Sequence, residues 1–113
     1  MQTPSRPVVW HGDSLARVKA FPPAARRDAG YEIRRVQLGE NPRDWKPMSS
    51  IGAGVMEIRV HVRGEFRVFY VAKFPDAVHI LHALQKKTRR TRQDDIDLAA
   101  KRYAEVSRKE KGR

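Results

Sequence analysis

Glu57, Arg59 and His61 alternate with Ile58, Val60 and Val62, so three ionisable side chains of different kinds share one face of an extended segment whose other face is apolar. They supply a carboxylate, a fixed cation, and an imidazole that gains or loses its proton near neutrality, with a reference pKa of about 6.5. Arg67 interrupts the following apolar run between Phe66 and Val68, where a cation is costly unless it reaches a polar face or a partner. The next run ends on Lys86-Lys87. Brought together, such groups meet the needs of metal-free RNA cleavage. A base takes the 2′-hydroxyl proton, cations offset the charge growing on the phosphoryl oxygens, and an acid protonates the departing 5′-oxygen. Arg59, Arg67, Lys86 and Lys87 are the candidate cations, and His61 and Glu57 the candidate proton carriers. Taken alone, Glu57 and Arg59 read rather as a salt-bridge pair on a solvated face, worth little energetically.

Other chemistries find no support in the spacing. His11, His61, His79 and His82 lack the usual separations of zinc ligands, and Asp94, Asp95 and Asp97 read as the acidic first turn of a helix rather than as a two-metal cluster. There is no Gly-rich phosphate loop and no serine nucleophile elbow. The expectation is therefore no metal and no cofactor. Cysteine is absent, which excludes disulfides and thiolate sites and fits a reducing cytoplasm. No stretch approaches the roughly 18 apolar residues of a spanning helix, and residues 1–7 lack the apolar core of a secretion signal, so a soluble cytoplasmic protein without a membrane partner is expected. The charge is strongly basic: 24 Lys and Arg against 13 Asp and Glu give +11. Such a surface concentrates polyanions, nucleic acid first, with an acidic protein or an anionic membrane behind it.

The elements that must position these groups are legible in outline. Residues 1–113 suit a single domain, with 1–7 and 108–113 loosely held. Residues 55–87 predict a three-stranded antiparallel meander, broken at Arg63-Gly64-Glu65 and at Pro75-Asp76, with a central strand from Phe66 to Phe74 that is apolar on both faces. Val8-Val9-Trp10 could add an edge strand. Asp13 is placed to cap a helix from Ser14 that ends at Pro22-Pro23, and a second helix from Pro23 to about Leu38 buries Ala25, Ala29, Ile33 and Val36 before Gly39 stops it. Arg26, Arg27, Arg34 and Arg35 fall off that stripe. Residues 40–54 read as a loop in which Trp45 lids the core and Lys46 is exposed. One of His79 and His82 is expected to face the core and the other the solvent or the site. Arg89, Arg90 and Arg92 form a basic connector, Thr91 and Asp94 resemble a capping box, and Ile96, Ala99, Tyr103 and Val106 make the apolar seam of a last helix.

In order and spacing, Gly54-Val55, Glu57-Ile58-Arg59, Phe66-Arg67-Val68-Phe69-Tyr70, Ile80-Leu81-His82-Ala83, Gln85-Lys86-Lys87-Thr88 and the helix with Asp95-Ile96, Ala99 and Arg102 resemble the RelE/ParE toxin superfamily, within it the HigB-like, phage-associated group. The resemblance runs from Trp10 to Tyr103. It implies an α+β, RelE-like fold in which an N-terminal helical hairpin and a C-terminal helix flank an antiparallel sheet. It further implies the toxin of a type II toxin–antitoxin pair, a ribosome-dependent endoribonuclease of mRNA. Its partners would be the ribosome, mRNA and an antitoxin of helix-turn-helix type, with operator DNA reached only through that antitoxin. By position, Arg67 matches a catalytic arginine, Lys87 the cation that stabilises the transition state or assists the leaving group, and Lys86 a neighbouring basic residue. Glu57, Arg59 and His61 occupy positions where members carry lysines, arginines or substitutes. Lys46, Arg26, Arg27, Arg34, Arg35, Arg89, Arg90 and Arg92 are the expected RNA contacts. A tyrosine that some members carry after the last strand has no counterpart here, which leaves the base open between His61, Glu57 and a contribution of the ribosome. The alternatives are a ParE-like gyrase inhibitor without chemistry and an inactive, RNA-binding phage remnant.

Overall fold

The computed structural model describes residues 5–112. Among these the chain forms β1 (Val8–Trp10), α1 (Ser14–Lys19), α2 (Pro23–Gln37), β2 (Trp45–Pro47), β3 (Val55–His61), β4 (Glu65–Val71), β5 (Val78–Lys86) and α3 (Gln93–Lys111). The strands make one sheet in the order β1-β5-β4-β3-β2. Every neighbouring pair is antiparallel except β1 with β5, which run parallel. The expected meander is thus β3-β4-β5, with an edge strand added on each side. β4 lies in the middle and is buried from Phe66 to Val71, which is why both its parities are apolar there apart from Arg67. No helix among the described residues is long and apolar enough to cross a membrane.

The helical stripe of α2 behaves as its spacing predicts: Ala25, Ala29, Ile33 and Val36 pack with Val18 and Phe21 against Ile58, Val60, Phe66, Val68 and Tyr70. Gly39, at φ +85°, closes α2, its amide bonding Val36 and the following Glu40 amide bonding Arg35. The opposite face of the sheet meets α3, with Met48, Ile51 and Phe74 of the connecting segments beside it. There Ala99 and Val106, with Ile96 and Tyr103 partly buried, cover Val55, Phe69, Val71, Leu81 and Leu84.

Several expectations are corrected. Residues 45–47 are a strand, not loop, because Trp45 and Pro47 find a partner in the otherwise unpaired outer edge of β3. Trp45 is 39 % exposed on that edge and is no lid over the core. The β4–β5 register shifts between Phe69 and Tyr70, which pair with His82 and Ile80, so Leu81 is a bulged extra residue. The bulge turns Leu81 and His82 to the same side. Both histidines of β5 are therefore buried, His79 at 7 % and His82 at 0 %, rather than one facing out. α3 starts at Gln93 after Arg92, without a side-chain capping bond, so the Thr91–Asp94 box does not form. Arg6 donates to the carbonyls of Ala72 and Phe74, and α3 continues to Lys111; of the ends expected to be loose, residues 1–4 and 113 lie outside the described part, and the expectation for these ends is neither met nor overturned.

Polar contacts dock α3. Arg102 donates to the Leu81 carbonyl at 2.9 Å and to Asp13 at 2.9 Å, and its other near neighbour is His82 Nδ1 at 3.4 Å. His82 Nε2 bonds Asp95 at 2.7 Å. Burial lowers the His82 pKa, outweighing Asp95, so the neutral ring donates from Nε2 and accepts at Nδ1. Asp13 spends its carboxylate on Arg17 and Arg102 rather than on capping α1, and those bonds hold its pKa down to about 2. Gly12 makes room for this, at φ +55° with the Arg102 guanidinium where a Cβ would stand.

Gly12→Ala should therefore lower unfolding free energy by about 1–3 kcal/mol, read by urea denaturation, through left-handed strain and displacement of Arg102. His82 gives a pH dependence of definite sign. Its folded pKa lies below the unfolded value near 6.5, so its contribution is complete above that pH and is lost as pH falls toward the folded value. Thermal melts between pH 7.5 and 5 should show a steeper acid loss in the wild type than in His82→Gln.

Candidate functional site

α3 crosses the sheet over β5 and covers Val55, Phe69 and Val71, but leaves the end of that face around Arg59, His61 and Glu65 without a helix, so Arg59 and His61 look outward there. Register then decides the neighbours. Arg59 pairs with Arg67, which pairs with Leu84; His61 pairs with Glu65, which pairs with Lys86; and Lys46 pairs with Glu57. Register thus brings Glu57, Arg59, His61, Arg67, Lys86 and Lys46 to one face. Lys87 is exposed, one residue beyond the end of β5.

Below the surface these groups form a continuous chain of ion pairs. Arg59 Nε donates to Glu57 Oε1 at 2.9 Å. The Arg67 Nε lies 3.6 Å from the same oxygen, Nη2 donates to Glu65 at 3.1 Å, and Nη1 donates to the Phe66 carbonyl at 3.0 Å. Glu65 accepts from His61 Nδ1 at 2.8 Å, and His61 Nε2 reaches Asp44 at 2.6 Å. Carboxylates only accept, so both ring nitrogens of His61 must carry protons, and the bonds to Glu65 and then Asp44 raise its pKa. The bond from His61, and then that from Arg67, lowers the Glu65 pKa. His61 is therefore held as an imidazolium, suited to giving a proton and unsuited to taking one at neutral pH. The Arg67 side chain is 5 % exposed and that of Glu57 3 %, whereas Arg59 is 31 % and His61 48 % exposed. Glu57, Glu65 and Asp44 balance Arg59, Arg67 and His61, so the floor is close to neutral and the cationic excess lies on its rim.

That rim is uneven. Lys86, Lys87, Arg90 and Arg92 line one shallow groove with Leu84 and Asp95, joining the end of β5 to the start of α3. Arg89 is exposed on the same connector. Arg26, Arg27 and Arg34 are exposed on α2, which packs on the opposite face of the sheet from Arg67, so they do not join this rim. Arg35 is not a free contact either: it pairs with Glu32 and Glu40 and donates to the Asn41 carbonyl. Glu32, 2 % exposed, also accepts from the Arg43 amide and guanidinium at 2.9 and 2.6 Å, fastening residues 40–44 to α2. This places Asp44 beside His61 in a cleft of about 260 Å³ lined also by Asp28, Glu32, Arg43 and Arg59.

Asp44 and Glu65 went unmarked in the sequence. A three-residue connection opposes residues 61 and 65, so the His61–Glu65 contact had a local signal in Val62-Arg63-Gly64. Asp44 had none, since its position depends on the pairing of β2. Tyr103, beyond the stretch where a site tyrosine was sought, donates to the Ala53 carbonyl and receives Lys73.

A family model, described as phage-derived protein Gp49-like (DUF891), matches residues 16–104. No curated protein and no solved structure matches the chain significantly.

His61 supplies a pH dependence opposite in sign to that of His82. Its folded pKa is raised, so the stability it adds is complete below about 6.5 and is lost as pH rises through the folded value. His61→Gln should flatten that alkaline decline in melting temperature while leaving the loss due to His82 unchanged.

Proposed function

This chain belongs to the phage-derived Gp49-like family, and on that premise we propose that it is the toxin of a type II toxin–antitoxin pair, acting as a ribosome-dependent, metal-free mRNA endoribonuclease of RelE/HigB type. The family's association with such toxins supports the first half of the proposal. The observation that carries the second is the row His61–Glu65–Lys86 at the end of an open sheet face, beside the cationic end of β5.

The residues divide the work as follows. Lys86 and Lys87, with Arg59, meet the phosphoryl oxygens; they are the cations of the site least enclosed by carboxylates or closest to solvent. His61, kept protonated by Glu65 and Asp44, delivers a proton to the departing 5′-oxygen. Glu57 has its carboxylate engaged by Arg59 and lies against Arg67, so attack by the 2′-hydroxyl relies on in-line geometry imposed on the mRNA within the ribosome. Arg67 acts from beneath, holding Glu65 and Glu57 in place. Lys46 and the Arg89–Arg92 connector bind RNA beside the cleft, while Arg26, Arg27 and Arg34 offer a separate basic face for ribosomal RNA. An antitoxin would silence the protein by laying an acidic or apolar segment across the cleft, and would carry the pair to operator DNA.

A second reading draws on the same network. Because Arg59 and Arg67 are both committed to carboxylates, the face could bind without reacting, as in a ParE-like inhibitor of DNA gyrase. Mapping mRNA 5′ ends by primer extension after controlled expression separates the two. New ends inside reading frames that vanish when initiation is blocked are expected; intact mRNA with impaired supercoiling would establish the gyrase reading instead.

His61→Gln and Lys87→Ala should each reduce cleavage about 100-fold or more, the scale of a lost proton donor or transition-state charge contact. Arg67→Ala should abolish it while ribosome sedimentation persists. Since removing one partner of a buried pair costs about 3–5 kcal/mol, Arg67→Lys, with folding verified by thermal melt, should accompany it. Unchanged cleavage by folded Arg67 and His61 variants would reject this site.

A further inference from the structure

At the other end of the sheet the fold collects ligand-type side chains that the sequence keeps apart. Asp76 and His79 stand three residues apart where the chain enters β5, and Glu110 lies in the last turn of α3. One ligand atom from each lies within 4.8 Å of the other two. His79 is 7 % exposed, Glu110 half-buried and Asp76 exposed. The site is remote from the cleft: Val71 pairs with His79 at this end of β4, and Glu65 pairs with Lys86 at the other. At about 3.3 Å per residue, the length of β4 separates them by roughly 20 Å.

The surroundings of His79 orient it for coordination. Its Nδ1 lies 2.9 Å from His11 Nε2, and Phe74 meets its ring edge-on. Between two neutral imidazoles one nitrogen donates and the other accepts. With His79 donating from Nδ1, its Nε2 carries the lone pair a metal needs; metal-bound histidines are ordinarily fixed in this way by a partner on the second nitrogen.

We propose that Asp76, His79 and Glu110 form a binding site for a divalent transition-metal ion of the Zn²⁺ class, which fastens the C-terminal end of α3 to the start of β5. One imidazole and two carboxylates make a mixed N/O set that suits Zn²⁺ better than Mg²⁺ or Ca²⁺, whose sites are built from oxygen. Three protein ligands leave the fourth tetrahedral position to water. A tetrahedral ion with bonds of about 2.0–2.2 Å needs ligand atoms roughly 3.3–3.5 Å apart. His79 is fixed by its packing, so the two carboxylates make the closing adjustment. The site is structural, and it stands whether or not the cleft cleaves RNA.

Isothermal titration and thermal melts of the full chain with Zn²⁺ test this, using Mg²⁺ as the control ion. The expected result is one Zn²⁺ per chain and a melting temperature about 5 °C higher at a free concentration ten times Kd. Mg²⁺ should produce neither. The double variant Asp76→Asn/Glu110→Gln alters an exposed and a half-buried side chain, and its metal-free melt reports folding. It should bind at least 10-fold more weakly, while His61→Gln, which disrupts the His61–Asp44–Glu65 group in the cleft, should bind as the wild type does. Absence of stoichiometric Zn²⁺ binding, unchanged binding in the double variant, or loss of binding in His61→Gln would each overturn the assignment.

Discussion

A guanidinium enclosed in the central strand of the sheet sets the conditions for the whole functional face. Isolated, the buried charge of Arg67 would cost several kcal/mol after relaxation. It is tolerated because Glu65 and the backbone carbonyl of Phe66 accept hydrogen bonds from it and the Glu57 carboxylate lies 3.6 Å from its Nε. Each acid then needs a further partner. Glu57 takes Arg59, and Glu65 takes His61, which in turn takes Asp44. One expensive burial thus propagates outward into an alternating chain of charges, whose outer members are half exposed and available to a ligand. The protonation state of His61 follows from this chain rather than from its own chemistry.

The seam between sheet and helix is governed by similar accounting. His82 is fully buried and stays neutral, because desolvation outweighs the attraction of Asp95. Arg102 threads past it to the Leu81 carbonyl and on to Asp13, tying α3, β5 and the start of α1 together. The bulge at Leu81 is what aims His82 into this seam. Since α3 is held over β5, it leaves the end of the face around Arg59 and His61 uncovered, and the cleft beside His61 opens at that end, against α2 and residues 43–44.

The distribution of charge gives the molecule two unlike faces. Arg26, Arg27 and Arg34 stand on α2, backed by a helix whose apolar stripe faces the sheet. Lys86, Lys87 and the Arg89–Arg92 connector stand on the other side, around a nearly neutral floor. A polyanion large enough to contact both would have to wrap the domain.

Much of the fold was legible because it rests on local periodicity: the period of two in residues 55–62, the stripe of α2, the seam of α3, and the prolines and glycines between them. The sequence by itself also determined the strong basic charge, the absence of thiol chemistry and the grouping of Glu57, Arg59 and His61, since alternation along one strand requires no knowledge of the rest. Tertiary structure decided what a strand's neighbours decide. A three-residue strand at Trp45 has no periodicity to display, and forms only because β3 offers an edge. The bulge at Leu81 reverses the facing of His82 without altering any apolar pattern. Enclosure of Arg67 by Glu57 and protonation of His61 by Asp44 depend on partners that strand pairing brings in. So does the meeting of His79 with Glu110. Burial and charge pairing are set by what lies within a few ångströms, and for these residues that is chosen by sheet register and helix docking, not by spacing along the chain.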